Sequence, residues 1–249
     1  MIRSLWIATA LATSLALPAQ ALDLEQMDDT ERAAFHAEIR AYLLENPEVI
    51  MEAVAVLEER QAAAQAQDDV DLVKSNAGAI FEDGHSWVGG NPEGDITLVE
   101  FMDYRCGYCR RAFVEVHDLL EKDGNIRFIV KEFPILGEES TVASRFAIAT
   151  HLLHGDEAYK AVHDALIAFN GAINEATLSR VAETLGYEPD GILDHMESEE
   201  VSDIISQNHA LAQQLSISGT PSFVMANQML RGYLPADEML KIADEIRTQ

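Results

Sequence analysis

The chain of 249 residues holds two cysteines, and they stand together as Cys106-Gly107-Tyr108-Cys109. Two cysteines separated by two residues, where a strand gives way to a helix, are spaced for thiol–disulfide chemistry. At positions i and i+3 of a first helical turn the sulfurs share one face, close enough for a small strained disulfide. Cys106, the outer of the two, falls where unpaired backbone N–H groups and the positive end of the helix dipole favour a thiolate. Arg105, Arg110 and Arg111 are expected to add positive charge there, which makes Cys106 the nucleophile. With no further cysteine, a structural bridge beside the motif and a four-cysteine zinc site are excluded. A purely structural thiol pair and half of an intersubunit metal site are the weaker alternatives.

The elements that must position this pair can be read from the residue pattern. Ile96 to Met102 is an apolar, β-branched run that ends in a short turn, and Arg110 to Glu121 reads as helix. Asn125 to Phe133, with alternating Ile126, Phe128 and Val130, supplies the next strand and completes a βαβ unit. Ser86-Trp87-Val88 is expected to be a short strand before it. From Glu138 to about Leu215 the pattern is helical, in about four segments punctuated by Gly155, Gly171, Gly186 and Gly191. Ser222 to Ala226 and Met229 to Gly232 form a hairpin across Asn227-Gln228, and Pro235 to Arg247 closes as a helix. The whole is an α/β domain of thioredoxin type with a large helical insertion at about 138–215.

Ahead of that domain the chain has two further parts. Met1-Ile2-Arg3, an apolar run from Leu5 to Leu17, and Ala19-Gln20-Ala21 read as a signal peptide over residues 1–21, with export to an oxidising compartment such as the periplasm. No later run is long and apolar enough to suggest a membrane span. Residues 22–84 form an N-terminal helical extension. Thr30 to about Gln67 is rich in Glu, Arg, Ala and Gln, and Asn46-Pro47 divides it into two helices. Leu43, Ile50, Leu57 and Ala64 recur every seventh residue, a stripe that needs a partner in the main domain or in another subunit. Asn76, Gly78 and Gly84 suggest a linker, with the catalytic domain at 85–249. The charge balance of 17 basic and 43 acidic residues, net −26, argues against nucleic acid and anionic membranes as partners.

Two separated motifs add a resemblance. Glu100-Phe101-Met102-Asp103-Tyr104-Arg105-Cys106-Gly107-Tyr108-Cys109, followed after the insertion by Ser218-Gly219-Thr220-Pro221-Ser222-Phe223, resembles the DsbA-like group of thioredoxin-fold proteins from about Ser86 onward. With its helical extension the chain further resembles the ScsC branch, whose members are periplasmic and oligomerise through that extension. The Gly107-Tyr108 pair is similar to that of the isomerase DsbC and unlike the Pro-His of the oxidase DsbA. The resemblance implies that Thr220-Pro221 is a cis peptide lying against the cysteines and that Thr220, Pro221, Gly107 and Tyr108 meet the substrate. Glu100 stands where the family carries a buried acid. Pattern alone leaves it equally a surface carboxylate, because Val99 and Phe101 flank it. The family reading makes it the proton acceptor for Cys109, with Lys131 a candidate partner.

These residues imply a periplasmic thiol:disulfide interchange protein, foremost a disulfide isomerase or reductase. The thiolate of Cys106 attacks a substrate disulfide, and then either the freed substrate thiol or Cys109 resolves the mixed disulfide. The only redox group is the Cys106–Cys109 pair itself, with no cofactor and no resident metal. Expected partners are unfolded or misoxidised exported proteins, a membrane redox partner for recycling, and copies of the chain as a dimer or trimer. A DsbA-like oxidase is the alternative in the same class. A copper-binding or copper-tolerance protein using the same thiols is the alternative in another, although the 8 methionines are scattered. His117, His151, His154, His163, His195 and His209 have no catalytic spacing and are read as surface or packing residues.

Overall fold

The computed structural model describes residues 26–248, so the expected signal peptide and the start at Leu22 lie outside the described residues. The chain divides into two compact units after Arg60. In the first, α1 spans Asp29–Glu45 and α2 begins at Glu48, with Asn46 and Pro47 between them as the sequence suggests. A capping box sets the start of α1: the carboxylate of Asp28 accepts the N–H groups of Thr30 and Glu31 at 2.8 Å, and Glu31 reaches back to the N–H of Asp28 at 3.0 Å. None of the α1 residues is buried. Ile39, Tyr42, Leu44, Ile50, Met51, Val54 and Leu57 are all exposed, which leaves the apolar stripe without cover.

Helix α2 runs on to Ser75, and its last turns belong to the second unit. This corrects the expected extension of 22–84 with a linker at its end. Val73 of α2 and Ile80 of the short helix α3 (Ala77–Phe81) are core residues, 2% and 0% exposed. Asp69 also binds Arg231 through two hydrogen bonds of 2.5 and 2.8 Å. Gly78 and Gly84 suggested a break in structure, whereas Ile80 between them has apolar partners far along the chain.

The second unit is built on a five-stranded sheet in the order β1-β3-β2-β4-β5, with β1 Trp87–Gly90, β2 Ile96–Met102, β3 Ile126–Glu132, β4 Ser222–Met225 and β5 Gln228–Arg231. Strands β2 and β3 are parallel and joined by α4 (Gly107–Asp123), and the other pairings are antiparallel. Both central strands are buried nearly throughout, the pattern of strands covered on both faces. Leu98, Met102, Phe128 and Val130 point into one core with α4, α5 (Glu138–His154), α6 (Asp156–Ala168) and the final helix α10 (Ala236–Thr248). Val99, Phe101, Ile129 and Phe133 point into the other, with Val73, Ile80, Leu211 and Leu215. This is the expected α/β thioredoxin fold.

Three local expectations need correction. Helix α4 starts at Gly107, three residues before Arg110, because Cys106 itself serves as its N-cap, a role for which cysteine is not a usual residue. The insertion holds five helices where the sequence suggested about four: α5 Glu138–His154, α6 Asp156–Ala168, α7 Glu175–Leu185, α8 Pro189–Met196 and α9 Glu199–Gln214. The eight-residue α8 has Gly191 inside it, which reads as punctuation. The hairpin turns at Ala226-Asn227, one residue earlier than expected, with Ala226 at φ 52°, the left-handed backbone that two-residue hairpin loops require.

Candidate active site

The site is assembled where β2 ends. Asp103, fully buried, organises the turn: one carboxylate oxygen accepts the N–H of Arg105 at 2.7 Å, and the other accepts those of Ile135 and Leu136 at 2.8 and 3.0 Å. The backbone oxygen of Asp103 takes the N–H of Cys106 at 3.1 Å. Cys106 is thereby held at the tip of α4 with its Sγ accepting the N–H of Cys109 at 3.3 Å. Both cysteines are free thiols. Across from them the Thr220–Pro221 peptide is cis, and the carbonyl oxygen of Thr220 lies 3.2 Å from Sγ of Cys106. The structure therefore brings together Cys106, Cys109, Thr220 and Pro221, which stand more than a hundred residues apart in the chain.

The two sulfurs are held in opposite states. Hydrogen bonds from the Cys109 thiol, then from the Thr220 side chain and the backbone N–H groups of Cys109 and Tyr108, lower the Cys106 thiol to about 5 despite its burial. Burial pushes Cys109 far above the ordinary thiol range, and its bond to Cys106 and the charge of Glu100 add to that. Cys106 is the better nucleophile at neutral pH for this reason. Its exposure is only 6%, less open than a helix tip suggests. The neighbouring Gly107 and, next to Thr220, Gly219 leave open space, since an added Cβ at either would meet nothing within 4 Å.

The three arginines do not supply the expected charge. Arg105 is turned to Glu139 at 3.1 Å and to the carbonyl of Gly171 at 3.0 Å. Arg110 donates to the carbonyls of Tyr104 and Phe169 at 3.2 and 2.9 Å. Arg111 lies over the ring of Tyr108, 5.3 Å from its centroid. None is among the leading causes of the lowered Cys106 value. Helix-tip residues have several directions open to them, and here local acceptors capture all three guanidinium groups.

Glu100 is buried, on the face of β2 that carries Leu98 and Met102, and so on the side of the cysteines. Burial, followed by the charges of Cys106 and Glu132, pushes its carboxyl up to about 8. Lys131 is not its partner. The parallel register sets Glu100 opposite Val130 and Phe101 opposite Lys131, so Lys131 emerges on the other face and pairs there with Asp83. A period of two residues along β3 sends the side chain away from Glu100.

A second buried carboxylate escaped the sequence reading. Glu132 accepts the hydroxyls of Tyr104 at 2.7 Å, Tyr159 at 2.6 Å and Ser144 at 2.7 Å. Burial raises it to about 7, against the pull of these three donors. Tyr104 also lies 3.1 Å from Nδ1 of His163; since its proton goes to Glu132, its oxygen accepts from His163, which burial keeps neutral with a value near 4. His163 is a packing residue, as expected, yet it shares the network that fixes Tyr104 in the turn before Cys106. The burial of Glu132 on three partners from distant segments left no local signal. Tyr108, in contrast, is 58% exposed beside Tyr233, whose hydroxyl donates to Glu115 at 2.8 Å.

Residues 97–246 match the DSBA-like thioredoxin domain family. The chain belongs to that family. Residues 31–64 of this DSBA-like protein match the N-terminal domain of copper resistance protein ScsC. A thioredoxin-like oxidoreductase from Silicibacter pomeroyi DSS-3 is similar, with a TM-score of 0.66 and 40% identity over 70% of this chain and 99% of that one. BcfH of Salmonella enterica Typhimurium is similar with a TM-score of 0.71 and 28% identity, over 86% of this chain and 94% of that one. The Na(+)/H(+) antiporter NhaA 3 of Salinispora tropica is 30% identical over 145 residues, 58% of this chain and 22% of the antiporter. The DSBA-like chain thus spans about a fifth of that relative's length. Among the described residues no helix is long and apolar enough to cross a membrane.

Proposed function

We propose that the protein is a thiol:disulfide interchange protein acting on exported polypeptides in the periplasm, foremost as an isomerase or reductase. The observation that carries this reading is the opposed state of the two sulfurs, Cys106 ionised near pH 5 and Cys109 held protonated by burial. The Cys106 thiolate attacks one sulfur of a substrate disulfide, a Cys106–substrate bond forms, and the other substrate sulfur leaves as thiolate. The charge of Cys106 is consumed in that bond, which removes the second largest influence holding Glu100 protonated. Glu100 then ionises more readily, at the stage when Cys109 must lose its proton. If the freed substrate thiolate attacks another disulfide of the substrate, and the thiolate released there attacks the mixed disulfide, Cys106 leaves as thiolate and the substrate is isomerised. If Cys109 attacks Cys106, the substrate leaves reduced and the two cysteines become a disulfide.

A Cys106 value near 5 lies between the roughly 7 of thioredoxin and the roughly 3.5 of a strong oxidant such as DsbA, which supports isomerase or reductase over dedicated oxidase. The uncovered apolar residues of α1 and α2 support pairing with further copies of the chain, as a dimer or trimer. Recycling then falls to a redox partner in the membrane. Refolding of a scrambled-disulfide protein by the full chain, and by one lacking residues up to Arg60, tests both points. Isomerisation by the full chain and its loss with the oligomer in the shortened one are expected. Oxidation of reduced substrate without isomerisation by either would overturn the reading.

A second reading is copper binding by the same thiols, favoured by the match of residues 31–64 to a copper resistance protein's N-terminal domain and by two free soft ligands side by side. Titration of the reduced protein with Cu(I), against Cys106→Ser, separates the two. Tight stoichiometric binding with no exchange activity would favour copper.

A further inference from the structure

A groove of about 560 Å³ opens in the helical insertion, and Glu139 on its edge pairs with Arg105 of the turn that carries Cys106. Its floor is apolar, made by Val142, Ile173, Leu178, Leu193 and Met196. Its rim is acidic at every side, with Glu138 and Glu139 from α5, Glu175 from α7, and Asp194 and Glu197 from the end of α8. Glu139 is paired with Arg105, and Glu197 lies 3.7 Å from Arg145. Among the described residues no cation lies within 4 Å of Glu138, Glu175 or Asp194. Three of these carboxylates sit in first helical turns, where the helix dipole favours them. The same argument fails for Asp194 and Glu197, which occupy the negative end of α8. Glu197 has Arg145 beside it, but neither helix dipole nor ion pair accounts for Asp194, and with Glu138, Glu175 and the apolar floor it makes a surface complementary to an amphipathic cation.

The groove is tied to the reacting sulfur. Asp103 holds the N–H groups of Ile135 and Leu136, two residues before the start of α5 at Glu138, and Arg105 joins the turn to Glu139. Leu136, 53% exposed, lies on this connection. We propose that the groove between α5, α7 and α8 docks a basic, apolar segment of the same polypeptide whose disulfide Cys106 attacks. An apolar side chain fills the floor while flanking lysines or arginines meet the rim. The inference rests on the exchange activity proposed above and adds a substrate class to it. It also fits a chain of net charge −26, which attracts basic clients at long range.

The test separates docking from chemistry. A fluorescein-labelled, cysteine-free peptide alternating lysine and leucine is titrated into the full protein and followed by anisotropy, with a glutamate–leucine peptide as control. Preferred binding of the basic peptide is expected, weakened about tenfold in the charge-reversed variant Glu175→Lys/Asp194→Lys. Leu193→Ser, which keeps the rim and removes part of the floor, should weaken it also. In exchange assays both variants should react with a small aromatic disulfide as the parent does, and more slowly with a disulfide-bonded basic peptide. Equal binding of the two peptides, or unchanged binding in both variants, overturns the groove while leaving the exchange activity standing. An inactive parent towards the small disulfide overturns the exchange reading instead.

Discussion

The two faces of strands β2 and β3 treat buried charge in opposite ways. On one face Lys131, fully buried, is met by the Asp83 carboxylate and the carbonyl of Ala79 at 2.9 Å. Burial opposes ionisation of Asp83, yet the charge and hydrogen bond of Lys131 hold it at about 2. On the other face no cation among the described residues lies within 4 Å of Glu100 or Glu132, and burial raises them to about 8 and 7. A paired buried charge fastens structure: here it clamps the 79–83 segment to the sheet. An unpaired buried carboxyl keeps its proton near neutrality and can exchange it, and the cysteines lie on that face.

Lys131→Met removes the cation of the paired face. It leaves the Asp83 carboxylate half-buried without its cation and is expected to destabilise the protein by about 3–5 kcal/mol, measured by urea unfolding. The Cys106 titration should not move, because Lys131 faces away from it; a shift of that titration would join the two faces.

Glu132→Gln is the next largest. It keeps the shape but upsets an acceptor site that serves three hydroxyls, and about 1–3 kcal/mol is expected. Because burial raises the Glu132 value, the stability it contributes is fully present below about pH 4.5 and is lost as pH rises through about 7, so the deficit of the variant should be greatest at low pH and shrink over that range.

Glu100→Gln should cost under about 1 kcal/mol at pH 7, since the native group is mostly protonated there. The sign of its pH dependence is set by the raised value. The stability that Glu100 contributes is fully present below about pH 4.5 and is lost as pH rises through about 8, so the variant should lose less stability than the parent over that range. Kinetically, release of a mixed disulfide by Cys109 should slow by about a hundredfold in stopped-flow measurements, as for a removed general base. An unchanged rate would make Glu100 a silent buried acid.

The smallest effect is expected from Arg111→Gln. Thiolate absorbance should still report Cys106 titrating near 5, within about half a unit, because that guanidinium is engaged by Tyr108 and interacts with the sulfur mainly through solvent. The same titration on Cys106→Ser should show no thiolate at all below pH 9. Since the Cys106 value is depressed, the stability that it contributes to the reduced protein is present above the unfolded thiol value and is lost as pH falls through about 5.

Much of this site was legible in the residue order. The spacing of Cys106 and Cys109, the strand before them and the helix after them are local features, and turn chemistry with hydrophobic period is enough to read them. The hairpin at 222–231 and the long helical insertion follow from the same signals. Glu100 was visible as an acid, but β-strand neighbours of equal apolarity concealed which face it took. The arginines were visible as charges, although not their capture by Glu139, Phe169 and Tyr108.

Sequence alone determined that Cys106 and Cys109 sit together at a helix start, because that depends on residues within one turn of each other. Only the tertiary structure decided that Thr220 closes against Cys106, that Glu100 and Glu132 share the face of the cysteines, and that Lys131 belongs to Asp83. Those outcomes depend on burial and on partners dozens of residues away, and a buried group takes its charge state from what surrounds it in space.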